Sequence, residues 1–310
     1  AGSLRRCAET IGDVDILVAA KEGKKIIDAF VGAEFVQEIM AAGDTKGAAI
    51  IKTDICPVHV DVRVVPEKSF GAALNYFTGS KQHNVRLREI AVKAKLKLNE
   101  YGLYRGKEMI AGATEEEIYK KLGLDYVEPM LREDRGEIAA AQKHKLPELV
   151  RLEDIKGDLH MHTTASDGSC EIEELVEAAK NKGYQYICVT DHSPFIAIAN
   201  GLSPARLAKQ IEKVRKLNDR LRDVTVLVGS EVDILADGSL DYEDKLLAQL
   251  DFVIGSIHSR MAGDRDTITR RVLKAMDNRY LCCIGHPTGR LIREREPMDI
   301  DMQAVIRHAA

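Results

Sequence analysis

The chain predicts an α/β and α+β multidomain protein, and three observations carry that prediction. From residue 156 onward, a short apolar strand, a polar side chain and a helix recur in that order, the pattern of an α/β barrel. Before residue 67, short β-branched strands carry aspartates at alternate positions. Between them run a basic helical stretch and a charged, loosely periodic connector. These shifts divide the chain into segments 1–66, 67–130, 131–155 and 156–310.

With 310 residues, 45% hydrophobic and 30% charged, the chain has room for two or more domains, each with its own core. No stretch approaches 18 apolar residues and no basic-then-apolar leader opens it, so the expectation is a cytoplasmic protein with no membrane partner. Six cysteines without a Cys-x-x-Cys pair read as reduced thiols. A formal charge of -4 offers no whole-chain argument for nucleic acid, so any such contact must come from a local patch.

The first segment opens on Gly2-Ser3-Leu4-Arg5-Arg6, a backbone turn, a hydroxyl and a cation of the kind that holds phosphates. A chain that begins on such a loop is expected to lack upstream residues. Gly12 then turns the chain into a strand, with Asp13 and Asp15 on one face and Val14 and Ile16 toward the core. Like charges this close repel unless a cation neutralises them, and magnesium suits an all-oxygen pair. A helix is expected from about Lys24 to Ala42, followed by strands Gly47–Lys52 and Val58–Val65. In the second of these, Asp61 shares a face with His59 and Arg63. Three carboxylates on neighbouring strands can hold two metals. The bland alternative, aspartates capping a surface strand, weakens once Asp61 joins Asp13 and Asp15.

In the second segment, Pro66 ends the strand and Tyr76-Phe77-Thr78-Gly79-Ser80 leads into a basic helical run, Lys81 to Asn99. Lys81, Arg86 and Arg88 there form a candidate phosphodiester contact, against the alternative of a solvated helix face. Thr114 with Glu117 reads as a capping box for a helix over Glu115–Leu122.

In the last segment, two histidines two residues apart, His160 and His162, point to one side of a strand. Asp167 can return from the following loop. His192, Glu231, His258 and His286 lie at or just after later strand ends. Six of the nine histidines fall after residue 155, and five of them belong to this set. Nitrogen and carboxylate donors suit zinc, manganese or iron better than calcium, and such a site activates water against a phosphate ester. Glu231 could bridge two ions, because a carboxylate has two oxygens.

Gly2-Ser3-Leu4-Arg5-Arg6, Gly12-Asp13-Val14-Asp15 and Asp61-Val62-Arg63 resemble the nucleotidyltransferase palm of family X DNA polymerases. Tyr76-Phe77-Thr78-Gly79-Ser80 resembles the motif at its palm–thumb junction. The resemblance implies a palm over 1–66, a helical thumb over 67–130, a linker over 131–155 and catalytic Asp13, Asp15 and Asp61 holding Mg2+. It also implies nucleotide binding by Gly2, Ser3, Arg6, Gly12, Tyr76, Phe77, Gly79 and Asn84, and DNA contacts from Arg63, Lys81, Arg86 and Arg88. The His160-Met161-His162, Asp167-Gly168, Asp191-His192 and Gly285-His286-Pro287 motifs resemble the PHP domain attached to bacterial and archaeal members.

That second resemblance implies a PHP-type (β/α)7 barrel over 156–310 holding up to three Mn2+ or Zn2+ ions. Glu231 would join His160 and His162 on one ion and His258 and His286 on another, while Asp167 and His192 hold a third. The family's closing Asp-x-His pair is not reached, so an incomplete barrel is expected. The implied function is repair-type DNA synthesis on gapped or recessed 3′ ends from deoxynucleoside triphosphates, with 3′-5′ exonuclease activity, by a monomer. A stand-alone phosphoesterase with a relic polymerase domain and a non-catalytic DNA-binding module are the alternatives.

Overall fold

A short turn of helix, α1 (Gly2–Arg5), precedes β1 (Val14–Ala19), and α2 (Gly23–Val31) follows it. Next come β2 (Val36–Ala42), β3 (Lys46–Ile51) and β4 (Val58–Val65), and the four strands form one sheet in the order β1-β4-β3-β2. Alternation builds β4: Val60, Val62 and Val64 are buried against Ile27 of α2, while His59, Asp61 and Arg63 face the other way. The computed structural model describes residues 1–310, in two compact units, Ala1–Leu149 and Val150–Ala310.

The helix expected over Lys24–Ala42 ends at Val31, because Gly32 closes it. Val36–Ala42 instead pairs antiparallel with β3, and covering an otherwise open edge overrides the segment's helical tendency. Ile16 departs from its expected core position and is 42% exposed. The short α2 packs chiefly over β2, β3 and β4, and of β1 it is Val14 and Val18 that join the core around Ile27.

After Pro66 come α3 (Phe70–Thr78) and α4 (Lys81–Lys93), then a small antiparallel sheet of β5 (Lys97–Asn99), β6 (Gly102–Arg105) and β7 (Glu108–Ala111). The basic helix thus stops at Lys93, six residues before the expected end. Lys95 takes a positive φ of 61° and turns the chain into the sheet, which sequence periodicity did not reveal. Helix α5 (Glu115–Lys121) starts as expected, with the Thr114 side chain accepting from Glu117 N.

The connector expected over 131–155 is not loose up to Leu149. Helix α6 (Glu137–Gln142) lies there, and Arg132, Glu137 and Ala141 are buried. Polar anchors explain this: Arg132 Nη1 donates to Glu115 Oε1 at 2.5 Å, and Glu137 Oε1 lies 2.7 Å from His83 Nδ1.

The second unit is an open parallel sheet whose strands follow chain order: β8 (Gly157–Met161), β9 (Tyr186–Val189), β10 (Thr225–Asp233), β11 (Phe252–Ser256) and β12 (Cys283–Ile284). Between and after them run α7 (Ile172–Asn181), α8 (Pro204–Asn218), α9 (Asp244–Leu247), α10 (Arg265–Met276) and α11 (Met302–Ala309). Sequential parallel order with helical crossovers is how a (β/α) barrel is built. The core pairs Val189, Val226, Val228 and Val253 of the strands with Val176 of α7 and Leu207, Ile211 and Val214 of α8. Strand β10 runs on through Asp233, so Glu231 lies inside it rather than at or after its end. All six cysteines are free, and no helix is long and apolar enough to cross a membrane.

Candidate active sites

In the first unit β1 and β4 are parallel, and Asp15 and Asp61 are register partners. Register partners in a parallel pair project to the same face, so the two carboxylates stand side by side. Asp13 sits one residue before β1. Burial, followed by repulsion from Asp13 and in lesser part from Asp61, pushes the Asp15 carboxyl up. Lys46 Nζ stands 3.6 Å from Asp61 Oδ2, while Asp61 Oδ1 and His59 Nε2 are buried with no hydrogen-bond partner. The paired Asp15 and Asp61 carboxylates, one with an orphaned oxygen, fit a hard divalent cation such as Mg2+, but Asp13 does not close with them into a group of three at ligand distance as the second unit's residues do.

Gly2 lies against Asp15. Its φ is +66°, and a Cβ there would come within 2.5 Å of Asp15 Oδ2. Ser3 occupies the same short helix, and Gly12 lies in open space before β1. A separate cleft of about 310 Å³ gathers Arg6, Tyr76, Phe77, Thr78, Gly79, Lys81, Asn84 and Arg88, which include five of the expected nucleotide residues and two of the expected DNA residues. Arg6 is already engaged there, donating to Glu133 Oε1 at 2.7 Å and to the Thr78 carbonyl at 2.6 Å. Asn84 donates to the Tyr76 carbonyl at 2.7 Å. Arg63 lies 4.5 Å over the Phe77 ring, and Arg86 pairs with Glu89 and Asp134. Their charges are thus partly spent within the fold.

In the second unit all seven expected ligands meet. Glu231, 2% exposed, is the hub. Its Oε2 lies 3.3 Å from His160 Nε2, His162 Nε2 and His192 Nδ1. Its Oε1 lies 3.3 Å from His258 Nε2 and 2.7 Å from His286 Nε2. Asp167 closes the far side, 2.8 Å from His162 Nδ1 and 3.4 Å from His192 Nε2. Three donor groups result: His160 with His162 and Glu231, His162 with Asp167 and His192, and His192 with Glu231 and His258.

Burial resists ionisation of Glu231, yet hydrogen bonds from His160, His162, His258 and His286 hold its carboxyl far below the usual range. The His258 imidazole is pushed up to about 9; burial opposes this, but Asp233 and Glu231 outweigh it. Burial, by contrast, lowers His192. One carboxylate shared among five imidazoles, with His192 Nδ1 buried and unpartnered, fits a multinuclear centre of nitrogen-preferring ions such as zinc or manganese.

Sequence reasoning quoted Asp191 only within the Asp191-His192 motif, without a role, and missed Asp233 altogether. Asp191 accepts from Thr163 N, Thr163 Oγ1, Ser166 Oγ and Gln210 Nε2, fixing the loop that carries His162 and Asp167. Asp233, fully buried, faces His258. The Glu231-Val232-Asp233 alternation is the signal that reveals it once the strand is carried through Glu231.

These geometries define a nucleotidyltransferase-like carboxylate site and a PHP-like imidazole site in one chain. Residues 73–133 match the DNA polymerase beta thumb and residues 158–303 the PHP domain. The chain belongs to the family X DNA polymerases that carry a PHP domain. It is 39% identical, over its whole length, to the DNA polymerase/3′-5′ exonuclease PolX of Bacillus subtilis, and spans about half of that protein, 54%. A probable phosphatase of Caldicellulosiruptor saccharolyticus is 33% identical over 49% of the chain and 60% of that protein. DNA polymerase lambda of Rattus norvegicus is 29% identical over 43% of the chain and 28% of that protein.

Proposed function

We propose that the chain is a repair-type DNA-directed DNA polymerase whose PHP unit trims DNA 3′ ends. The observation that carries the synthetic half is the side-by-side placement of Asp15 and Asp61, with Asp13 at the strand entrance. In this reading residues 1–66 are the palm and 67–130 the thumb, and Asp13, Asp15 and Asp61 hold Mg2+. The primer 3′-hydroxyl oxygen attacks the α-phosphorus of a deoxynucleoside triphosphate, the α–β phosphoanhydride bond breaks, and pyrophosphate leaves. Asp61 is the carboxylate placed to take the hydroxyl proton. The cleft of Tyr76, Phe77, Gly79 and Asn84 receives sugar and base, while Lys81 and Arg88 at its rim meet phosphate.

In the PHP unit, Glu231, the five imidazoles and Asp167 hold Mn2+ or Zn2+ and orient the 3′-terminal phosphodiester. When bound, the ions at both sites supply positive charge to phosphate oxygens, which carry the developing charge of transfer. The substrates are gapped or recessed DNA and deoxynucleoside triphosphates, and the protein works in the cytoplasm as a monomer.

Two assays test the reading. Primer extension across a gap with Mg2+ is expected from the wild type and lost in Asp61→Ala. Release of 3′-labelled nucleotide with Mn2+ is expected from the wild type and lost in His160→Ala. Extension surviving Asp61→Ala would overturn the synthetic half, and equal release by wild type and His160→Ala would overturn the hydrolytic half.

A further inference from the structure

The imidazoles of the second unit are not held alike. Both nitrogens of His162, and both of His192, face Asp167 or Glu231, which belong to the proposed centre itself. His258 differs. Its Nε2 lies 3.3 Å from Glu231 Oε1, but its Nδ1 points away from the centre, 3.4 Å from Asp233 Oδ1.

Asp233 is fully buried, and neither of its carboxylate oxygens has a hydrogen-bond partner; His258 Nδ1 has none either. A buried, unpartnered carboxylate is costly and calls for a donor. Here the nearest unsatisfied ring nitrogen is that of His258. The backbone around Asp233 is fixed on both sides. Its N–H donates to Ser193 Oγ at 3.0 Å, its carbonyl accepts from Asp241 N at 3.0 Å, and it is the register partner of Ser256 on β11. Arg271 adds positive charge nearby, but its guanidinium donates to the carbonyls of Ile234, Leu235 and Ser259 and leaves the carboxylate oxygens free.

We infer that Asp233 is the positioning residue of His258. It keeps the ring proton on Nδ1, so that Nε2 presents its lone pair to the metal shared with Glu231. A carboxylate behind a ligating imidazole fixes tautomer and ring orientation in this way, and its loss typically weakens metal affinity roughly 10–100-fold. The inference rests on the hydrolytic reading of this unit but names a residue outside its ligand set.

The test uses the full chain, wild type, Asp233→Asn and Asp233→Ala, labelled with nitrogen-15 histidine. In metal-free protein held above about pH 9, where the His258 ring keeps a single proton, a long-range proton–nitrogen spectrum is expected to show that proton on Nδ1 in the wild type. Asp233→Asn is expected to mix the two ring forms, because an amide can donate as well as accept, and Asp233→Ala to lose the preference. Competition with a chelating dye is expected to show one Mn2+ bound roughly 10–100-fold more weakly in both variants. Unchanged ring state and Mn2+ affinity in both variants would overturn the inference. So would loss of fold in Asp233→Asn, the near-isosteric change, because that outcome assigns Asp233 to the architecture alone. A wild type that binds no Mn2+ would instead overturn the hydrolytic reading, and the ring state of His258 still reports separately on Asp233.

Discussion

Asp15 of β1 and Asp61 of β4 are register partners, so adjacent parallel strands carry two carboxylates on one face with Asp13 beside them. Burial and these neighbours raise the Asp15 carboxyl. A raised folded-state pKa contributes stability that is present below the unfolded value and lost as pH rises through the folded one. At neutral pH the ionised pair therefore works against the fold. Asp15→Asn is expected to raise the metal-free urea midpoint, corresponding to an unfolding free energy higher by up to about 1 kcal/mol for relief of neighbouring like charges. Primer extension should fall by about 100-fold or more. A variant less stable than wild type in metal-free buffer would contradict this account.

Gly2 supports the same carboxylate by having no side chain. At φ +66°, with a Cβ only 2.5 Å from Asp15 Oδ2, alanine must displace either the helix start or the aspartate. The left-handed conformation alone costs a non-glycine residue about 1–2 kcal/mol. Gly2→Ala should therefore slow extension at least about tenfold, since misplacement of about 1 Å can cost two orders of magnitude. Full activity in Gly2→Ala would show that the loop does not define the position of Asp15.

In the PHP unit, Glu231 is the anion that five imidazoles share, and Gln keeps its shape while removing its charge. Metal ions that bind only the folded state raise its stability, by about 2.7 kcal/mol at a hundredfold excess over Kd. Adding Mn2+ should raise the wild-type melting temperature and leave Glu231→Gln nearly unmoved, as read by calorimetry. An equal upward shift in both would remove Glu231 from the centre.

Much of this was legible in the residues themselves. Strand alternation placed Asp61 opposite Val60 and Val62, and the repeating strand–ligand–helix order predicted that seven scattered side chains would meet. What stayed hidden depends on tertiary partners. Val36–Ala42 becomes a strand because β3 needs an edge partner, a demand that the segment's own pattern does not express. Arg132 and Glu137 look like surface charges in a charged connector, and only their pairing with Glu115 and His83 shows that they are buried. Asp233 stays hidden because only the continuation of β10 through Gly229 to Asp233 turns its carboxylate toward His258.

That hidden polar core supplies the last prediction. Glu115, 3% exposed, accepts from Arg132 Nη1 at 2.5 Å and from Arg5 Nη2 at 2.7 Å. Burial opposes its ionisation, but the two guanidinium groups hold its carboxyl below the usual range. Fully buried Arg132 has no other carboxylate, so Glu115→Gln leaves an uncompensated charge and should cost about 3–5 kcal/mol. Its neighbour His83 is fully buried between Glu137 Oε1 and Tyr119 Oη, each at 2.7 Å, and burial lowers its pKa. The unfolded chain therefore takes up that proton near the ordinary 6.5 while the native state does not, so stability falls as pH drops below that value. The depressed Glu115 and Glu137 carboxyls act in the same direction at lower pH: their contribution holds above the ordinary 4.5 and is lost in acid. Urea unfolding of the first unit can be followed through the resolved NMR ring signals of Tyr119 and Tyr126, which pack edge to face in this network. The wild-type midpoint should drop between pH 7.5 and 5.5, and His83→Gln should flatten that slope. An identical slope in His83→Gln, or a Glu115→Gln midpoint equal to wild type, would show that the buried pairs do not set the stability of this unit.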